Sequence, residues 1–149
     1  GNRQARTDML LASTMAAMAF NSTRLGLVHA FAMPLGSRLH IPHGLANAIM
    51  LPAVMRFNLP GNLSKFTRIA QIFGERVEVL GERAAAERSV ISIEQLKADV
   101  GITAKLGDFG MTEADINHIA AEAMLSGNVP VNPRQPTLDD MQALLRAEM

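Results

Sequence analysis

Pro34, Gly36 and Pro42 punctuate the stretch GLVHAFAMPLGSRLHIPHG, residues 26–44, and constrain how the chain runs there. A proline inside a helix removes one backbone hydrogen bond and presses its ring against the carbonyl four residues back. One unbroken helix would keep His29 and His43 on a shared face but about 21 Å apart, too far for joint work on one ion. The breakers exclude that helix. The spacing predicts that a helix ends at Pro34 and Gly36 and that the chain then turns back. A second helix opens at Pro42, a residue suited to a first helical turn. Such a reversal can bring the two imidazoles together.

The rest of the chain reads as helix. Hydrophobic residues make up 48% and aromatic residues only 4%, with neither Trp nor Tyr. Abundant Met, Ala and Leu favour helices, because strand surfaces select β-branched and aromatic side chains. Residues 4 to 21 carry Met and Ala on nearly all sides, which predicts a buried, central helix. Ser22 and Thr23 are placed to cap the next one. Pro52 is expected to kink or break the helix opened at Pro42 before it reaches Phe57. Residues 62 to 73 place apolar side chains at Phe66, Ile69, Ile72 and Phe73, with Gly74 as a stop. Residues 83 to 100 keep the helical period through Ala86, Val90, Ile93, Leu96 and Val100, and Gly101 ends them.

Thr112 with Asp115, and Thr137 with Asp140, spell a variant of the capping box at two further helix starts. Between those helices GNVPVNPRQP is a proline-rich turn. No repeat and no strand pair is evident, so the expected fold is an all-α helical bundle, one domain over residues 1–149.

Composition narrows the function. The 14 basic and 14 acidic residues balance, leaving no long-range field to recruit nucleic acid or an anionic membrane. No apolar run reaches the ~18 residues needed to span a bilayer. With no Cys there is neither a disulfide framework nor a thiolate site, so a metal would rest on His, Asp or Glu, which suits iron, zinc or manganese. The start superficially suggests a signal peptide, but Asp8 interrupts it and no small-residue cleavage site follows. With no Met before Gly1, the chain reads as a piece of a longer, cytoplasmic protein.

His29 and His43 are the candidate ligands, and their spacing alone leaves open a plain structural role. His40 falls in the turn, where exposure or support suits it better than ligation. His118, on the amphipathic segment after Thr112, reads as a surface residue, and the Met-rich first helix as core.

GLVHAFAMPLGSRLHIPHGLANAIMLPAVMRFN resembles the signature of the iron-containing (group III) alcohol dehydrogenases. ADVGI, LGDFGMTEADI and NPRQPTLDDMQALL resemble that family's C-terminal region in the same order, so the likeness covers almost the whole chain. The resemblance implies that His29 and His43 are two metal ligands, for Fe²⁺ or in some members Zn²⁺. It also implies an Asp and a further His from a segment before residue 1, and an N-terminal α/β domain that binds NAD(P). Neither is found in these residues. Many members carry a second His four residues after the first; here Met33 stands there, and a thioether cannot usefully move a proton.

The implied parent is an NAD(P)-dependent dehydrogenase of an alcohol or hydroxy acid, with a small alcohol or aldehyde as substrate. Its partners would be its own nucleotide-binding domain and, over the surface that domain leaves exposed, a homo-oligomer; this piece alone is expected to be inactive. The rival readings are a non-catalytic helical interaction domain or a degenerate homologue. A metal-dependent hydrolase is disfavoured, since no carboxylate stands close to the His pair in sequence.

Overall fold

The computed structural model describes residues 1–149. Seven α-helices follow in order: α1 (Arg3–Phe20), α2 (Leu27–Leu39), α3 (His43–Asn58), α4 (Leu63–Ile72), α5 (Glu82–Asp99), α6 (Glu113–Met124) and α7 (Leu138–Ala147). Short 3₁₀ turns lie at Leu59–Gly61 and Leu106–Phe109, and there is no strand. The all-α expectation holds.

The local signals at α4 to α7 act as read. The structure adds a cap that the sequence reading did not name: the Asn62 side chain accepts from the Lys65 N–H at 3.1 Å and starts α4. Past its end Gly74 takes φ +85°, and past α5 Gly101 takes φ +76°, a region open to glycine at little cost. Thr112 accepts from the Asp115 N–H while the Asp115 carboxylate accepts from the Thr112 N–H; Thr137 and Asp140 repeat the exchange. Hydrogen bonds from the Thr112 hydroxyl, from Arg38 and from the Thr112 backbone pull the Asp115 carboxyl down to about 2.

Neither proline ends its helix. α2 runs through Pro34 and Gly36 to Leu39, and α3 runs through Pro52 to Asn58. A mid-helix proline costs about 3 kcal/mol, whereas fully burying one large apolar side chain contributes roughly 1.5–3 kcal/mol. Leu27, Phe31 and Leu35 on α2 are each at most 1% exposed, so burial outweighs the lost hydrogen bond. The reversal comes later than the sequence predicts, at His40, which takes φ +56°, followed by Ile41 and Pro42.

Ser22 and Thr23 do not cap α2; they lie in a turn before it, and Gly26 is its N-cap. The missing acceptor comes from far along the chain: Asn132 Oδ1 accepts from the Leu27 N–H at 3.2 Å. Asn132 also exchanges hydrogen bonds with Asn58, at 2.6 and 3.1 Å, tying the end of α3 to the start of α2. Gly26 combines φ +88° with an approach that would set a Cβ 3.1 Å from Asn132 Oδ1.

α2, α3, α6 and α7 share the main core, a cluster of 21 buried residues that includes Phe31, Ile49, Met50, Ile116, Ile119, Met141 and Leu145. α4 and α5 pack beside it around Phe66, Ala86 and Val90, with Met55 of α3 and Leu59 of the following 3₁₀ turn bridging the two. Arg56 forks onto Glu94 at 2.7 and 2.9 Å and reaches Glu87 at 3.0 Å, joining α3 to α5.

The central, buried position expected for the first helix is not observed. No residue of α1 is buried, and Met9, Leu10, Met15 and Met18 are 61–73% exposed. An all-round apolar helix needs cover on every side, and the other helices spend their apolar faces on one another.

Candidate metal centre

The reversal between α2 and α3 sets the site. His29 is the third residue of α2 and His43 the first of α3, with the link at residues 40–42 folding one helix back on the other. The two rings stand with centroids 5.4 Å apart, tilted at 56°. His29 is half-buried and His43 exposed. Burial pushes the His29 imidazole below its ordinary value, and His43 beside it pushes the same way. His29 is therefore uncharged near neutral pH, with a ring nitrogen able to donate an electron pair.

Asn47 completes the local arrangement. It lies one turn after His43 on α3, and its Nδ2 is 3.3 Å from His29 Nε2. Its Oδ1 is buried with no hydrogen-bond partner. Sequence reading missed this residue; the signal available was its spacing of four from His43, which puts both on one face of α3. Met33, one turn after His29 on α2, is 69% exposed. His40 lies in the turn and His118 on α6, both exposed, so neither joins the pair.

Whether these residues suit a metal ion is a matter of donors and distances. Two imidazoles on one tetrahedral ion, with metal–nitrogen bonds of about 2.1 Å, have ring centres about 5.3 Å apart. The observed 5.4 Å matches that separation, and both donors are nitrogens that iron and zinc accept. No three His, Asp or Glu side chains gather in one place. The pair fits two positions of a four-ligand shell.

Comparison with known proteins bears on what the pair serves. The model of the "Fe-containing alcohol dehydrogenase family, C-terminal" matches residues 1–149. A 1,3-propanediol dehydrogenase of Klebsiella pneumoniae is 43% identical over 97% of this chain and 38% of its own length. A lactaldehyde reductase of Escherichia coli (strain K12) is 39% identical over 97% of this chain and 38% of its own length. A solved 1,3-propanediol oxidoreductase superposes with a TM-score of 0.97 at 42% identity, covering 100% of this chain and 39% of that one. The chain thus spans well under half the length of these relatives. It belongs to the Fe-containing alcohol dehydrogenase family, whose C-terminal part it matches from end to end.

Proposed function

We propose that the chain is the metal-side, helical half of an NAD(P)-dependent dehydrogenase acting on a small alcohol or aldehyde, with His29 and His43 as two ligands of Fe²⁺ or Zn²⁺. The observation that carries this reading is the pairing of the two imidazoles at 5.4 Å, with burial keeping His29 uncharged. Family membership and relatives that act on a short diol and a short hydroxyaldehyde support it.

When bound, a divalent ion in such a site supplies Lewis acidity to the substrate oxygen while hydride passes between the carbinol carbon and the nicotinamide ring. The chain's own residues do three things there. His29 and His43 orient the ion from two helices whose relative placement the shared core fixes, and neither has to move a proton. Met33, exposed one turn after His29, offers an apolar side chain with no proton to exchange. The Asn47 amide sits against the metal-facing histidine. The nucleotide would be held by an N-terminal domain of the longer protein, which we place in the cytoplasm.

Activity tests this division of labour. The 149-residue chain alone is expected to show no NAD(P)-dependent oxidation of propanediols, and the longer protein to show it. In the longer protein His29→Ala and His43→Ala should each abolish turnover and release the metal, read by elemental analysis. Turnover by the chain alone, or full metal content and full activity in both variants, would overturn the proposal.

One observation favours a second reading, a helical interaction module without catalysis: α1 exposes apolar side chains along its length. That face suits the rest of a longer protein or a second copy of the chain. The catalytic variants separate the readings, since an interaction module would not lose turnover with a histidine.

A further inference from the structure

We propose that Asn47 is a displaceable guard on His29: its carboxamide holds the ring nitrogen that a metal ion needs, and an ion must remove it to bind. The inference rests on reading His29 and His43 as ligands. Asn47 Nδ2 lies 3.3 Å from His29 Nε2. A neutral imidazole has a single in-plane lone pair, so an amide hydrogen donated to Nε2 occupies that pair and places the ring proton on Nδ1.

The other half of the amide makes no competing contact. Asn47 Oδ1 is buried and accepts no hydrogen bond. An unpaired buried carbonyl is destabilising, and a leucine of similar shape would fill the space without that penalty. Within this chain the amide therefore has a single contact, to His29. No third His, Asp or Glu gathers at the pair, so the histidines by themselves are an open half-site for stray cations. The guard closes it. A complete ligand set gains enough to displace one neutral hydrogen bond, whereas two imidazoles and water gain less.

The experiment uses the full 149-residue chain with ¹⁵N-labelled histidine and asparagine. In the metal-free chain His29 should carry its proton on Nδ1, and added Zn²⁺ should shift the Asn47 side-chain amide signals as the hydrogen bond breaks. Asn47→Asp, whose ionised carboxylate only accepts, should move the His29 proton to Nε2. Asn47→Leu should bind Zn²⁺ about three- to tenfold tighter, the scale of one net hydrogen bond. A wild-type ring protonated at Nε2, or an Asn47→Leu chain that binds Zn²⁺ equally or more weakly, would overturn the guard. Loss of binding in His43→Ala beside unchanged binding in Asn47→Leu refutes the guard alone. Equal binding by wild type and His43→Ala refutes the ligand reading and the guard with it.

Discussion

α1 and α3 are built from the same kinds of residue and meet opposite fates. RQARTDMLLASTMAAMAF and HGLANAIMLPAVMRFN are both rich in Met, Ala and Leu. α3 buries Ala46, Ile49, Met50 and the run Pro52–Met55, while α1 buries nothing. The difference is one of neighbours. α2, α5 and α7 all contact α3, whereas every residue of α1 is exposed. Apolarity on every face states that a helix needs cover; it does not state which segment provides it. The two helices are therefore expected to respond very differently to equivalent changes.

The largest effect should come from α3. Ile49→Ala removes a fully buried side chain from the main core and should cost about 2–5 kcal/mol, read from urea unfolding. A loss below 1 kcal/mol would mean that α3 is not the packing centre. Next is Asn132, which joins Asn58 to the start of α2. Asn132→Ala leaves the Leu27 N–H and the Asn58 amide unpaired and should cost about 1–3 kcal/mol. It should also loosen the amide protons at the start of α2 in hydrogen exchange before those of α6.

A smaller effect is expected at acid pH. The Asp115 carboxyl is lowered in the folded chain from 3.8 to about 2. The stabilisation it brings is therefore complete above 3.8 and lost as pH falls toward 2. Asp115→Asn should flatten that part of the stability curve and leave stability differences constant above pH 5; an unchanged acid limb would remove the carboxylate from the cap. The smallest effect belongs to α1: Met15→Ala should change the stability of this chain by less than about 0.5 kcal/mol, the range for exposed positions. A loss as large as that at Ile49 would show that α1 is covered in solution, and sedimentation at rising concentration would then report whether a second copy covers it.

What could be read from the sequence follows the reach of each interaction. The caps at Thr112 and Thr137 act within three residues, the apolar period of residues 62–73 and 83–100 is local, and the glycine stops act at a single φ, so α4 to α7 were legible from local spelling. The end of α2 was not. Pro34 and Gly36 are strong local breakers, yet Phe31 and Leu35 are buried by α3 and α6, and that gain is invisible until the helices meet. The same holds for the α2 cap, since Asn132 lies 105 residues from Leu27. At the site, the breakers announced a reversal and hence a meeting of His29 and His43, but their role as ligands came from resemblance. Asn47 escaped notice because its spacing of four from His43 gains meaning only once its partner across the turn, His29, is known.

The proposal that His29 and His43 share one metal ion is tested most directly by titrating Zn²⁺ calorimetrically into the longer protein, its His43→Ala variant and the 149-residue chain. Tight binding is expected for the longer protein, and binding weaker by at least tenfold for its variant, in keeping with the loss of one of a few ligands. The chain alone should bind weakly, because two imidazoles leave half of a four-ligand shell to water. Equal, tight binding by the longer protein and its His43→Ala variant would remove His43 from the site and contradict the mechanism.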